Sequence, residues 1–256
     1  METWMLGELL RRNEVLGWTA VAHGVLFLVA LVLSQVDGRQ LAGINLWIKP
    51  MKFAISIALY TATYGWIYHH AMAPGGAKAL VSWVIAGTLC YETVCIFGQA
   101  ARGVGSHFNV ATGFDGFVFA SMGVMIVINM LAALAGAWHC WQTSPTLGLT
   151  PAYLWGIRLG MLIFVLAGFE GGLMGSRLQH AVGVPDGGPG LPILNWSTEG
   201  GDLRVAHFVG MHALQALPLL GYWLGSVWTV WGAAAGWVGV TVWLLVRALA
   251  GRPLIG

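Results

Sequence analysis

The chain has 256 residues, of which 57% are apolar and only 9% charged, with a mean hydropathy of +0.74. Soluble domains run about 45–50% apolar and about 25% charged, so this composition excludes an ordinary water-soluble domain and places the chain among membrane proteins. A net charge of +2 without a long Lys/Arg cluster argues against a nucleic-acid partner and against a polybasic switch for lipid headgroups.

Residues 1–15 read as a retained amphipathic leader, because no short apolar stretch is followed by a small-residue cleavage site. A helix needs about 20 mostly apolar residues to cross the hydrocarbon core. Seven runs meet that length, at 16–36, 50–70, 79–100, 114–139, 152–176, 206–225 and 227–248, the last two divided near Gly225-Ser226. Period-two alternation is absent, so the expected fold is all-α, an integral membrane bundle of about seven transmembrane helices in one domain over 1–256. Cys90, Cys95 and Cys140 make no CxxC and read as small apolar core residues.

Seven crossings put the two termini on opposite sides, A and B. Trp18, Trp66, Trp83, Trp138, Trp141, Trp155, Trp223 and Trp228 fall near side-A helix ends, as an interfacial aromatic belt does. Side B holds Arg39, Lys49, Lys52, Arg102, Arg177, Arg204, Arg247 and Arg252, against Arg11, Arg12, Lys78 and Arg158 on side A. The positive-inside rule then makes side B cytoplasmic.

Polar residues gather towards side B. In the second span Lys49, Lys52 and Ser56 share a face; the lysines either hold an anionic group or snorkel to the interface. In the third, Glu92, Cys95, Gln99, Arg102 and Ser106 recur every three or four residues and form one stripe. A carboxyl inside a span is costly, so Glu92 reads as a proton carrier, an ion-pair partner or a hydrogen-bonded structural acid. In the following loop Asp115 either orients the imidazole of His107 or caps the fourth span. Asn129 is expected to bond between helices. Glu170 and Arg177 share a face of the fifth span about 10 Å apart, too far to pair, and Gly168, Gly171, Gly172 and Gly175 allow close helix approach there.

Residues 177–205, rich in Gly and Pro, read as an ordered, lid-like loop anchored by Leu191, Ile193, Leu194 and Trp196. On the sixth span Arg204, His207, His212 and Gln215 lie within an arc of about 140°. His207 and His212 lack the i,i+4 spacing of zinc helices, although His107, His207 and His212 can share a metal across helices, zinc or another divalent ion. Hydrogen bonds to neighbouring helices explain the two late histidines equally well. His69, His70 and His139 sit at side-A helix ends, and His23, deeper, is a candidate haem ligand.

The ordered set WIKPMKF, QAARGVGSHFN, VGVPDGGPGLP, WSTEGGDLR and HFVGMHALQALPL, spanning residues 47 to 219, resembles an uncharacterised family of bacterial polytopic membrane proteins. That resemblance implies a multi-pass protein of the bacterial inner (plasma) membrane. More distantly, Ser106, His107 and Asp115 are similar to the Ser and His–Asp region of the ceramidase and progestin-receptor-like membrane hydrolases. Those proteins bind zinc with a late H-x-x-x-H, where this chain has His207-x-x-x-x-His212.

Three functions follow as expectations. The first is a membrane-embedded enzyme, metal-assisted or acid–base, acting on a small or amphiphilic ligand. Glu92, His107, Asp115, His207 and His212 would do its chemistry, and Lys49, Lys52, Gln99, Arg102, Arg204 and Gln215 would hold the ligand. The second is a proton-coupled small-solute transporter relaying protons through Glu92, Glu170 and the histidines. The third is a haem or quinone redox protein, which needs two histidines facing each other.

Overall fold

The computed structural model describes residues 2–70, 75–142 and 149–255. By internal contacts the chain forms two compact units, Met1–Gly136 and Ala137–Gly256.

The first unit opens with α1 (Glu2–Arg12) and α2 (Glu14–Val36). Asn13 separates them: its Oδ1 accepts the Leu16 N–H and its buried amide donates to Ser82 Oγ at 2.8 Å. The expected leader is therefore a helix docked on its own unit. Arg12 pairs with Glu8 at 2.7 Å and lies 4.1 Å over the Trp66 ring. A short hairpin follows, β1 (Gln40–Leu41) and β2 (Ile44–Asn45), turning through Ala42 (φ 50°) and Gly43 (φ 77°). Positive φ at both central residues is what a type I′ hairpin turn requires. Asp37 ties the hairpin down by accepting from Arg39 and from Trp47 Nε1.

Next come α3 (Ile48–Tyr68), α4 (Gly76–Arg102) and α5 (Gly113–Gln142), the last running through the unit boundary. Gly103, at φ 79°, stops α4. Asn129 of α5 donates to Thr88 Oγ1 of α4 at 2.8 Å, the interhelical bond its position suggested.

The second unit contains the end of α5, α6 (Pro151–Arg177), β3 (Ala181–Val182), β4 (Gly201–Asp202), α7 (Leu203–Met211), α8 (Ala213–Leu224) and α9 (Val227–Leu249). Thr150 caps α6 with Pro151 at its first position, and Ser226 caps α9 after Gly225 (φ 64°), where the apolar run was expected to divide.

Among the described residues five helices are long and apolar enough to cross a membrane: α2, α4, α5, α6 and α9. This falls short of the expected seven, for two physical reasons. The α3 helix is long enough, but Lys49, Lys52, Tyr60, Thr61, Thr63 and Tyr64 dilute its apolar character. The expected 206–225 span is interrupted at His212 into helices of 9 and 12 residues. At 1.5 Å per residue these measure about 13 and 18 Å, each below the roughly 30 Å of a hydrocarbon core.

The 177–205 segment is an ordered structure closed on its own unit. Strands β3 and β4 pair antiparallel, and Gly190 bridges Ser197 further out. Trp196 packs with Val205, Ala206 and Leu244 of α7 and α9. Asp186 accepts from the backbone N–H groups of His180 and Ala181 and from His180 Nδ1 at 2.8 Å. Burial alone would raise its pKa; those three hydrogen bonds outweigh burial and hold it well below the usual carboxylate range. A depressed folded pKa gives stability that is complete above the unfolded value and lost as pH falls through the folded one. Proteolysis of the 183–200 segment is therefore expected to stay slow through mild acid and to accelerate only in strong acid. In Asp186→Asn it should already be faster at neutral pH.

Candidate functional site

The polar stripe on α4 meets the start of α5 in a compact knot. Asp115, 3% exposed, accepts from Gln99 Nε2 at 2.9 Å, from Arg102 Nη1 at 2.6 Å and from Thr112 Oγ1 at 2.7 Å. Arg102 also donates to Gln99 Oε1 and lies 4.8 Å over the Phe114 ring. Thr112 Oγ1 accepts the Asp115 N–H at 3.1 Å and donates its own hydrogen to Asp115 Oδ2, so Thr112 caps the helix. The T-x-x-D spelling ahead of an apolar run is the signal that would have identified this pair in the sequence. The N-cap role expected of Asp115 therefore falls to Thr112, and Asp115, the third residue of the helix, braces the capping hydroxyl. Arg102 and Gln99 hold Asp115 where a ligand was expected.

His107 has different company from the expected Asp115. Its Nδ1 is 3.1 Å from Ser106 Oγ, and its ring lies 5.4 Å from Phe53 of α3 and 6.5 Å from Phe119 of α5. Phe53 also carries Lys49, whose Nζ is 5.9 Å from the ring centroid, and packs beside Ile96, Val118 and Met122. Sequence reading passed over Phe53, which nothing in the pattern separates from an ordinary core aromatic. Lys52, half-buried, follows Lys49 by one turn of α3.

Glu92 lies seven residues before Gln99, about 10 Å further into the membrane-crossing part of α4. It is 5% exposed, and its Oε1 has no hydrogen-bond partner. Lys49 is close enough to act on it electrostatically. The first unit therefore brings Lys49, Phe53, Glu92 and His107 around the α3–α4 seam. This set offers a cation for an anionic headgroup, an aromatic wall for an apolar tail and a protonatable carboxyl with a free lone pair.

The second unit distributes its expected site residues differently. Arg204 donates to Asp202 (Nε at 2.9 Å, Nη2 at 2.5 Å) and to Asn195 O, so it fastens the loop to α7 where ligand binding was expected. His207 Nδ1 is 2.8 Å from Ala167 O of α6. Glu170 Oε2 lies 3.3 Å from the same nitrogen, yet both Glu170 oxygens lack a hydrogen bond. A carbonyl can only accept, so the Nδ1 proton points at Ala167, and the Glu170 contact is electrostatic. His212 returns its Nδ1 to Phe208 O at 2.7 Å, at the α7–α8 interruption. Gln215 is half-buried on α8. His207 and His212 thus face separate partners. Among the described residues no three His, Cys, Asp or Glu side chains are grouped to hold a metal ion.

His23 is 1% exposed and uses both ring nitrogens, on Thr19 O at 2.8 Å and Thr93 Oγ1 at 2.9 Å. Neither nitrogen is left for haem iron, which corrects that expectation.

No protein-family model, curated protein or solved structure matches the chain.

Proposed function

We propose that this chain is a membrane-embedded acid–base enzyme for an amphiphilic substrate, with its centre in the first unit. The observation that carries the reading is Glu92: a carboxyl buried inside an apolar helix, one oxygen unpartnered, within electrostatic reach of Lys49. A group so placed exchanges protons with a reacting ligand or hydrogen-bonds to it. The anionic head of the substrate sits at Lys49 and Lys52, its tail runs along Phe53 into lipid, and Glu92 accepts or donates the proton. His107 is the second acid–base group, positioned by Ser106. In this reading the chain crosses the membrane seven times. The α3 helix and the interrupted α7–α8 pair supply the two crossings that length and composition alone do not mark. Side B is cytoplasmic on the bias of Lys and Arg, in a bacterial plasma membrane.

Dodecyl phosphate, a minimal anionic amphiphile, is a suitable probe with the protein in lipid nanodiscs. Calorimetry is expected to show saturable binding, weakened about tenfold in Lys49→Met, the loss of one charge-assisted contact. Glu92→Gln is expected to remove the proton exchanged on binding, seen as an enthalpy that no longer depends on buffer ionisation. Binding indifferent to both substitutions would sink the proposal. Passage of the probe across liposomes, abolished in Glu92→Gln, would make the protein a carrier and no enzyme.

A further inference from the structure

The first unit has a hollow that the chemistry at Glu92 leaves unused. It lies between α2 and α4 near the beginning of both helices, away from Gln99 and Arg102. Two buried hydrogen bonds bracket it, Asn13 to Ser82 at 2.8 Å on one side and His23 to Thr93 at 2.9 Å on the other. The two helices therefore run side by side in the same direction, held at points about 15 Å apart. Between those bonds α4 lines the groove with small residues, Ala86, Gly87 and Cys90. A Cβ on Gly87 would meet nothing within 4 Å. The space left open is about 440 Å³, within the roughly 300–1,000 Å³ of small-molecule sites.

The two ends of this groove differ in chemistry. At the start stands Glu14, exposed, with Trp18 one turn further along α2 and Trp83 on α4. Among the described residues the Glu14 side chain forms no hydrogen bond or ion pair. The cations nearest to it in sequence are committed, since Arg11 and Arg12 pair with Glu8. No Lys, Arg or His is among the described residues that line the groove. Towards Cys90, seven residues or about 10 Å beyond Trp83, the lining is apolar; Thr19 turns its hydroxyl to Val15 O at 2.8 Å. A tryptophan at a membrane interface needs no ligand to explain it. Here two of them flank an unbalanced carboxylate at the mouth of a hollow.

A carboxylate and indole faces together select a cation, the first by its charge and the second by the negative potential over the rings. The hollow behind them suits an alkyl chain. Trp18, Trp83, Gly87 and Cys90 are all exposed, on two helices long and apolar enough to cross a membrane, so the groove opens towards lipid and its occupant enters from the bilayer. We propose that this groove binds an amine-headed lipid of the surrounding bilayer. The ammonium lies between Trp18 and Trp83 beside Glu14, and the first part of one acyl chain runs along Ala86, Gly87 and Cys90. Its charge preference is the reverse of that expected at Lys49 and Lys52.

Native mass spectrometry of the full chain, released from detergent and titrated with dioleoyl phosphatidylethanolamine, tests this. One saturable lipid adduct is expected. The N-acetylated form of the same lipid keeps the chains and the phosphate but has no ammonium, and is expected to bind about tenfold more weakly, the loss of one charge-assisted contact. Glu14→Gln, at an exposed position, should weaken the amine lipid by the same factor and leave the acetylated lipid unaffected. Gly87→Phe fills the hollow and should abolish the adduct; should that chain fail to fold, Gly87→Leu is read the same way. Lys49→Met should bind the amine lipid as wild type does, and loss of the adduct there would assign it to the α3–α4 seam and overturn the groove. Equal binding of the two lipids, an unaltered adduct in Glu14→Gln, or an adduct retained in the folded Gly87 variant also overturns the proposal.

Discussion

Asp202→Ala is expected to loosen the 178–202 segment and unwind the first turn of α7 together, at a cost of about 2–4 kcal/mol from a lost cap and lost charge-assisted bonds. Asp202 is 2% exposed and stands where β4 becomes α7. Oδ1 accepts the Arg204 N–H at 3.0 Å, capping the helix, and Nε of the same arginine at 2.9 Å. Oδ2 accepts the Ser197 N–H at 2.9 Å, drawing in the tip of the segment. Arg204 Nη2 donates to Oδ2 as well, so every partner is a donor and all four need an acceptor at that point. Alanine removes it and leaves the Ser197 and Arg204 N–H groups without the acceptor they share. Asparagine is expected to rescue only in part, because its amide hydrogens turn one of the two oxygens into a donor facing donors. The measurement is limited proteolysis between residues 183 and 200, with hydrogen exchange at residues 203–206. Unchanged cleavage in Asp202→Ala would mean that the β3–β4 pairing and Trp196 hold the segment without the carboxylate.

Most helices were legible because lipid imposes a simple grammar: uninterrupted apolar runs of the right length, ended by Gly103 or Gly225 and begun by Thr150-Pro151 or Ser226. The sixth span failed on this grammar. An apolar run carries no mark of an interruption when the residues at the break, Met211, His212 and Ala213, are ordinary helix residues. The stripe of Gln99 and Arg102 was also readable from spacing; its contact with Asp115 was not. Which donors Asp115 would choose was not readable, because the competition between His107, Arg102 and Thr112 is decided by loop geometry. The glycines show the same limit. Gly168, Gly171, Gly172 and Gly175 looked like the packing face of the fifth span. A Cβ on Gly172 or Gly175 would meet open space, and one on Gly171 meets a histidine ring. The close approach lies two turns and more towards the other end of α6, at Gly156 and Gly160, in a sequence (GIRLG) whose arginine disguises it.

That seam gives the second large effect. Gly156→Ala is expected to destabilise the second unit by about 3 kcal/mol, at the upper end for overpacking, although alanine normally favours a helix by about 1 kcal/mol over glycine. A Cβ on Gly156 would overlap the Leu217 carbonyl and stand 2.9 Å from Pro218 Cα. On Gly160 it would stand 2.7 Å from Ala213 O. From the other side, a Cβ on Gly221 would overlap the Ala152 carbonyl. The obstacles are backbone atoms of α6 and α8, which cannot rotate away as a side chain can. Apolar side chains gain little by associating in lipid, so backbone proximity of this kind is a principal source of helix adhesion. Gly172→Ala is the matched control on the same helix. It adds the same methyl group to open space, and its unfolding midpoint in detergent should equal or exceed wild type, while that of Gly156→Ala falls. Equal midpoints for the two variants would show that α6 and α8 can separate by a methyl group without loss, and the α6–α8 seam would then contribute far less than its geometry indicates.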